Sequence, residues 1–288
     1  MKKKKILIIG SNGFIGKSLS NYLKKYYSIY KMNRNILKEN SKNVRCDISK
    51  NKLFKKKMSK LPNFEYVINL SGQIEKGKSR MYNNIFIGNK NIINFFKNEK
   101  TILIYFSTIL VYGNSKDLIT SNSTLKPQSY YAKIKAKTEN LYEKTSKNFI
   151  ILRIANVYDD KLEKKGLLKN IIDAIRNNNV IKINQMKSIR NYIHIFDLNR
   201  MLRLIISKKL NLYKINIGYE NISNEKMIKI FNKIFKCYIN FDNLNKSFTY
   251  DPNIKLKANS FIKKMHFKFN HSIETSLKKF YEKQYIQK

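Results

Sequence analysis

Three glycines near the start of the chain constrain its fold more than any other feature. Gly10, Gly13 and Gly16 form a GxxGxxG pattern directly after the apolar run 6–9, and an amphipathic segment follows. The chain has only 9 glycines in 288 residues, so this spacing stands out against the composition. A strand, a glycine turn and a helix N-terminus together form a site for a dinucleotide pyrophosphate. The pattern predicts cofactor contacts from Gly10, Asn12, Gly13, Phe14, Ile15 and Gly16.

Apolar runs alternate with helical patterns along the first half of the chain, which predicts βαβ units and a parallel sheet. Predicted strands cover 6–9, 28–32, 66–70, 102–106, 149–154 and 180–183. Predicted helices cover 14–26, 89–98, 127–144, 167–177, 198–206 and 225–235. We expect an α/β fold, with a Rossmann-like doubly wound parallel sheet over residues 1–158. A smaller, interwoven substrate-binding lobe follows over 159–288, and some of its elements return to the sheet.

The formal net charge of +40 allows two interpretations. A polyanionic partner such as nucleic acid would explain it, and the fold would then serve as an inactive nucleic-acid-associated module. However, the lysines are spread from end to end and accompany abundant Asn and Ile, which share A/T-rich codons. Compositional drift therefore explains the charge without a nucleic-acid partner, and this is the interpretation we favour.

Two cysteines without CxxC spacing, Cys46 and Cys237, provide neither a disulfide framework nor a metal site. This usage is typical of a reducing compartment, so we expect the cytoplasm. No apolar segment approaches the length of about 18 residues that spans a bilayer, and no membrane association is expected.

The predicted helix after Pro127 carries a tyrosine and a lysine that could act together. Tyr131 and Lys135 are four residues apart and share one helical face. An adjacent ammonium favours the phenolate, so we expect Lys135 to lower the pKa of Tyr131 from its usual value of about 10. The same spacing occurs elsewhere in this tyrosine- and lysine-rich chain, but here Glu139 lies four residues further on.

A pair of hydroxyl side chains follows the predicted strand 102–106. Ser107 and Thr108 lie at the carboxyl end of that strand, where open α/β sheets bind ligands. We expect Thr108 to hydrogen-bond the substrate oxygen that Tyr131 protonates, and Ser107 to contact the substrate.

These residues together resemble the extended short-chain dehydrogenases/reductases, in the NAD-dependent epimerase/dehydratase family that acts on nucleotide sugars. The similarity extends along most of the chain. It implies an enzyme with Thr108, Tyr131 and Lys135 as the catalytic set, of which Tyr131 and Lys135 also contact the cofactor. It implies no metal.

Further segments resemble family motifs near the cofactor. Asp47 and Ile48 match the pair that contacts adenine. Residues 69–72, Asn-Leu-Ser-Gly, take the place of the nicotinamide-side strand end usually written HLAA. The resemblance implies cofactor contacts from Leu70, Ser71 and Gly72.

Two more segments resemble motifs near the substrate. Residues 153–158 are similar to LRxxNVYGP, with Asp159 and Asp160 in place of Gly-Pro, which implies a substrate contact from Asn156. Residues 190–198 are similar to the RDYIHVxDL segment of sugar-nucleotide 4-epimerases. There Arg190 would bind the diphosphate, with a surface ion pair as the alternative. We interpret His194 as a core histidine.

The reaction implied is hydride transfer at sugar C4. Dehydratases of the family carry an Asp-Glu pair after the catalytic Thr, and Ile109 and Leu110 stand there in this chain. This leaves an NADPH-dependent reductase of a 4-keto-6-deoxy sugar nucleotide, which we favour, or an NAD-dependent nucleotide-sugar 4-epimerase. The resemblance also implies a homodimer.

The second predicted strand bears on the choice of cofactor. NAD-binding proteins usually place an acid at its end, whereas this chain has Asn33 and Arg34. An arginine can pair with a 2′-phosphate, so NADP is favoured over NAD. Arg34 as a plain surface charge is the alternative.

Overall fold

A computed structural model describes residues 3–72, 77–164, 166–177, 180–183, 185–211, 213–237, 241–243, 253–257, 262 and 265–286. The strands are β1 Lys5–Ile9, β2 Ser28–Asn33, β3 Asn43–Arg45, β4 Tyr66–Asn69, β5 Ile102–Thr108, β6 Phe149–Ile154, β7 Asn156–Tyr158, β8 Ile181–Ile183, β9 Ile189–His194, β10 Tyr213–Ile217, β11 Glu220–Ser223 and β12 Phe241–Asn243.

The α-helices are α1 Phe14–Leu23, α2 Asn51–Met58, α3 Lys78–Tyr82, α4 Gly88–Phe96, α5 Tyr130–Thr145, α6 Leu167–Asn177, α7 Ile195–Ser207, α8 Asn224–Phe235 and α9 Ile273–Tyr281. Short helices of other types are the π-helices Asn83–Ile87 and Glu282–Ile286 and the 3₁₀-helix Ile109–Tyr112.

A seven-stranded sheet in the order β10-β6-β5-β4-β1-β2-β3 forms the larger architecture. The pairs from β3 to β5 are parallel. β4 and β6 are buried along their whole length, because helices on both faces of a parallel sheet leave no polar face. The predicted α/β fold with a Rossmann-like doubly wound sheet is confirmed.

The chain forms two compact units. The first comprises Met1–Val111, Pro127–Arg153 and Asn199–Ile215, and its core is built around Leu7, Phe54, Tyr105 and Tyr142. The second comprises Tyr112–Lys126, Ile154–Leu198 and Asn216–Lys288. Each unit therefore takes segments from both sides of residue 158, while the functional division into a cofactor domain and a substrate lobe stays a prediction.

The second unit has short sheets around its own apolar core. β9 pairs with β7 in parallel and with β11 in antiparallel orientation, and β8 pairs with β12. Met227 and Phe231 of α8 and Leu277 of α9 are fully buried in this core.

Most predicted elements lie within a few residues of the observed ones, and the differences have local causes. α1 ends at Leu23 rather than at the predicted Tyr26, and residues 24–27 continue as a turn in which Tyr26 and Tyr27 donate their N–H groups to the Leu23 carbonyl. The sequence reading missed α2, whose narrow apolar face buries only Phe54 and Met58 among many lysines.

Candidate active site

The glycine turn after β1 has the geometry that its sequence predicts. Gly10 has a φ of +81°, a conformation that favours glycine. A Cβ on Gly16 would lie 2.3 Å from the Gly10 carbonyl oxygen, so α1 can pack on the turn only because residue 16 has no side chain. A Cβ on Gly13 would meet the protein only at an ordinary 3.4 Å. Packing within the protein therefore does not require a glycine at 13.

A cavity of about 260 Å³ opens beside this turn and could hold a dinucleotide. Gly10, Asn12 and Gly13 line it. Gly13 is also the N-cap of α1, and no side chain caps that helix. A bare helix N-terminus beside a glycine-lined cavity fits a diphosphate. The predicted cofactor residues Phe14, Ile15 and Gly16 form the first turn of α1 outside the cavity lining, and their cofactor contacts stay a prediction.

One end of the cavity is formed by the loops after β2 and β3. Asn33 and Arg34, and Asp47 and Ile48, all line it, as the sequence predicts. The Asp47 carboxylate accepts hydrogen bonds from the N–H and hydroxyl of Ser49, at 2.9 and 2.7 Å. These bonds hold the Asp47–Ile48 turn in one conformation.

The other end of the cavity is formed by the turn after β4, where Leu70, Ser71 and Gly72 line it. Asn69 accepts hydrogen bonds from the N–H and hydroxyl of Ser71 and donates one of 2.8 Å to Asn89. The same Asn89 oxygen accepts from the hydroxyl of Tyr142, at 2.8 Å. This buried polar chain ties the cavity turn to α5.

Ser129 caps the N-terminus of α5, where its hydroxyl accepts a hydrogen bond of 3.2 Å from the N–H of Ala132. From this start, Tyr131 and Lys135 fall on one face, with the Lys135 Nζ 5.6 Å from the centre of the Tyr131 ring. Lys135 is buried and donates to the Phe106 carbonyl of β5, at 2.8 Å. Its ammonium also lies 4.9 Å from the ring centre of Tyr105.

The pKa values of this pair differ from the sequence expectation. Burial raises the pKa of Tyr131 above its usual value, so the expected lowering by Lys135 is wrong for the protein alone. Burial lowers the pKa of Lys135 to about 7, with Glu139 acting in the opposite direction. Desolvation exceeds the charge interaction here because Lys135 is buried against β5 and Tyr131 packs against Met81 and Ile85. Like any tyrosine whose pKa is not lowered, Tyr131 is protonated at neutral pH.

Thr108 and Ser107 have different surroundings at the end of β5. The Thr108 hydroxyl oxygen accepts from the N–H of Leu110, at 3.3 Å, and its own hydrogen can still be donated. The Ser107 hydroxyl donates to Glu139, which forms a buried 2.7 Å ion pair with Arg153. Ser107 is thus engaged within the fold, and its substrate contact stays a prediction.

Two predicted substrate residues lie in the second unit, where both line a smaller cavity of about 80 Å³. Asn156 donates its amide to the Asn191 carbonyl, at 3.0 Å. Arg190 lines the same cavity beside Lys164, whose ammonium donates to the Val157 carbonyl at 3.2 Å. Burial lowers the pKa of Lys164. Substrate binding by Asn156 and Arg190 stays a prediction.

His194 is buried in the second unit, in keeping with its interpretation as a core histidine. Its ring stacks on His271 with centres 4.2 Å apart, and its Nε2 lies 3.2 Å from a carboxylate oxygen of Asp160. Burial and the neighbouring His271 lower its pKa.

Among the described residues, no helix is both long and apolar enough to cross a membrane.

The fold and the cavity define a Rossmann-type protein with a dinucleotide site. The model of the NAD dependent epimerase/dehydratase family matches residues 6–218. The chain therefore belongs to that family and is an enzyme of that type.

Individual relatives are more distant. CDP-abequose synthase from Yersinia pseudotuberculosis is 25% identical over 214 residues, which cover 70% of this chain and 73% of that protein. UDP-glucose 4-epimerase from Thermotoga maritima superposes with a TM-score of 0.81 at 20% identity, over 97% of this chain and 99% of the other. dTDP-glucose 4,6-dehydratase from Bacillus anthracis, in complex with NAD, superposes with a TM-score of 0.80 at 18% identity, over 98% of each chain. At these identities the two structures share the fold.

Sequence reasoning missed several residues of the cavity. Asn35 and Cys46 line it and adjoin predicted residues, so proximity along the chain could have indicated them. Asn84 also lines it, but it follows no strand and belongs to no recognised motif. Only the tertiary structure brings Asn84 to this place.

Proposed function

We propose that this enzyme reduces a 4-keto-6-deoxy sugar nucleotide with NADPH. The proximity of Tyr131 and Lys135, one helical turn apart with the lysine Nζ 5.6 Å from the ring centre, is the observation that carries the proposal. A general acid must hold its proton at the working pH, and a phenol whose pKa is not lowered does so. The name of one relative, CDP-abequose synthase, supports a nucleotide-linked sugar as the class of ligand.

The proposed chemistry adds a hydride and a proton across the C4 carbonyl. A bound NADPH would supply the hydride to C4. The Tyr131 phenol gives its proton to the carbonyl oxygen, which becomes the C4 hydroxyl, and the phenolate takes up a proton from water. Thr108 donates a hydrogen bond to the same oxygen and stabilises the negative charge that develops there. Lys135, in the protonated form that its pKa of about 7 still allows near neutral pH, stabilises the transient phenolate.

Two features of the sequence support reduction over the other reactions of the family. Ile109 and Leu110 follow Thr108, and neither side chain can move the protons that elimination of water requires. Arg34 lines the cofactor cavity at the end of β2, where a guanidinium can bind the 2′-phosphate of NADP.

An NAD-dependent nucleotide-sugar 4-epimerase is the second candidate. The resemblance of residues 190–198 to the RDYIHVxDL segment favours it, with Arg190 binding the substrate diphosphate. Such an enzyme retains NAD and returns the hydride to the opposite face of the sugar.

The experiment separates these reactions by their use of cofactor. Purified enzyme is mixed with NADPH and a 4-keto-6-deoxy sugar nucleotide, and the loss of NADPH absorbance is followed. A reductase consumes one NADPH for each sugar reduced. Interconversion of two C4 epimers without net consumption, together with NAD that copurifies, would overturn the reductase in favour of the epimerase.

We also propose a homodimer in the cytoplasm. The resemblance implies the dimer, since many relatives pair through a four-helix bundle built partly from the helix that carries the tyrosine and lysine, here α5. The thiols of Cys46 and Cys237 are free, as is typical of a reducing compartment. Light scattering of the purified protein measures its mass against the 34.2 kDa of one chain. A mass of one chain at micromolar concentration would contradict the proposed dimer.

A further inference from the structure

The helical segment from α3 to α4 contains a π-helical turn at Asn83–Ile87, beside the cofactor cavity. A π-turn accommodates an additional residue within a helix, and such turns often occur at functional sites. Asn84 lies in this turn, is 8% exposed and lines the cavity. The turn thus places a buried carboxamide at the wall of the cofactor site.

The carboxamide of Asn84 accepts a hydrogen bond from the guanidinium of Arg34, which follows β2. Arg34 donates from Nη1 to the Asn84 oxygen, at 3.1 Å, although the two residues are 50 positions apart. Arg34 is a long, exposed side chain in the loop after β2. Fixing such a side chain costs conformational entropy, and a hydrogen bond already present in the protein reduces what the ligand must supply.

The same helical segment also positions the neighbouring part of the cavity. A Cβ on Gly88 would lie 2.6 Å from the Ile48 side chain, so the absence of a side chain at 88 admits Ile48. Asn91 donates to the Ile48 carbonyl at 2.8 Å. Asn84, Gly88 and Asn91 therefore organise the end of the cavity that Asp47, Ile48 and Arg34 line.

The chemistry of the Arg34–Asn84 contact suits a ligand phosphate. A carboxamide is neutral, so this hydrogen bond orients the guanidinium and leaves its positive charge in place. A guanidinium has five N–H donors in a planar fork that matches phosphate oxygens, and the contact with Asn84 uses one donor on Nη1. A carboxylate at position 84 would instead neutralise the guanidinium and repel a phosphate.

We propose that Asn84 is a positioning residue that sets the selectivity of this enzyme for 2′-phosphorylated dinucleotides by holding Arg34. The inference rests on the NADP preference in the proposed function. It adds a residue of the π-turn to those that determine cofactor selectivity, which would otherwise be sought in the glycine turn and in the loop after β2.

The test measures dissociation constants for NADPH and NADH by the fluorescence of the reduced nicotinamide. Selectivity is the ratio of the NADH constant to the NADPH constant, and we expect about 10 or more in the unaltered enzyme. Arg34→Ala should bring this ratio to about one, because the charged hydrogen bonds to the phosphate are lost. Asn84→Ala should lower it about 3- to 10-fold, and Asn84→Asp should lower it further.

NADH affinity is the internal reference, because a general loss of structure would lower the affinities for NADH and NADPH equally. Asn94→Ala is the matched control, since Asn94 is exposed on α4 and does not line the cavity. It should leave the ratio unchanged. Thermal unfolding of each variant establishes that it is folded.

The outcomes separate the two proposals. If the unaltered enzyme does not discriminate, the NADP preference is wrong and Asn84 has no selectivity to set. If Arg34→Ala leaves the ratio high, the preference holds but does not come from Arg34, and the role of Asn84 is wrong. If Arg34→Ala abolishes selectivity while Asn84→Ala and Asn84→Asp both keep it, the preference holds and the role of Asn84 is wrong. A lower ratio in both Asn84 variants, with unchanged NADH affinity, supports the inference.

Discussion

The two units of this protein bury polar side chains for different purposes. In the first unit, Asn69, Lys135 and Glu139 are almost completely buried, and they lie on β4 and α5, next to the ends of the central strands. In the second unit, Asp197 is buried and accepts hydrogen bonds of 3.0 Å from the N–H groups of Asn270 and His271. The residues of the first unit lie around the proposed reaction site, whereas Asp197 satisfies backbone N–H groups of the irregular segment at residues 270–271.

Side-chain amides in the second unit replace backbone pairing in a similar way. Asn221 donates to the Leu256 carbonyl and accepts from the Leu256 N–H, at 2.8 and 2.9 Å. Asn253 accepts from the N–H of Ile189. Because the strands of this unit are short, side chains satisfy backbone groups that a longer ladder would pair. In this protein, the buried polar groups that we propose to take part in function adjoin a cavity at the strand ends, whereas those of the second unit satisfy backbone groups.

The largest expected effect tests the chemical side of this comparison. We expect Tyr131→Phe to lower kcat by about 10³- to 10⁴-fold, because the variant has no proton to donate. Affinity for the dinucleotide and the melting temperature should change little, and Tyr130→Phe should retain activity because residue 130 lies outside the catalytic set. Steady-state kinetics with direct binding measurements check this. An active Tyr131→Phe enzyme would remove the role of the phenol.

The ion pair of Glu139 with Arg153 tests the energetic effect of burial. We expect Glu139→Gln to lower the free energy of unfolding by about 3 kcal/mol, because Arg153 would keep a buried charge without its partner. Its matched control is Glu143→Gln, one turn further along α5. Glu143 is exposed and lies 3.3 Å from Lys214, so its loss should cost about 0–1 kcal/mol. Urea denaturation measures both, and equal costs would contradict the importance of burial.

Two glycines in the same turn separate stability from binding. We expect Gly16→Ala to destabilise the protein by about 1–3 kcal/mol, because its Cβ would overlap the Gly10 carbonyl. Gly13→Ala should change stability less and should lower dinucleotide affinity about 10-fold, since its Cβ would occupy ligand space. Thermal unfolding and cofactor titration give the two values for each variant. A Gly13→Ala enzyme with full affinity would place the diphosphate elsewhere.

The smallest effect concerns the second unit and pH. The pKa of His194 is lowered in the folded protein, so the unfolded chain binds a proton more readily and stability falls as the pH drops through the usual range of imidazole. The groups facing His194 are His271, Asp160, Asp197 and Asp159.

We expect His194→Asn to reduce the loss of stability between about pH 7 and about pH 5, the range in which imidazole titrates. His266→Asn is the control, because His266 is exposed and its φ of +50° suits asparagine. Urea denaturation at both pH values gives the comparison. An unchanged pH dependence in His194→Asn would show that other groups cause it.

The sequence predicted the features of the site that depend on short stretches of chain. The turn from Gly10 to Gly16 and the shared face of Tyr131 and Lys135 follow from local spacing, and the structure has both. The pKa of Tyr131 was predicted in the wrong direction because spacing shows the neighbouring charge and gives no measure of desolvation. Asn84 was missed because neither its π-turn nor its contact with Arg34 has a sequence pattern.

By itself, the amino-acid sequence determined the α/β class, the glycine turn and the residues that could act as acid, activator and hydroxyl donor. Each of these depends on hydrophobic periodicity or on backbone constraints that act within a few residues. The tertiary structure alone decided which groups are buried, that Glu139 pairs with Arg153, and that Asn84 holds Arg34. These depend on the register of distant strands and helices, because desolvation and side-chain pairing act between segments that only folding brings together.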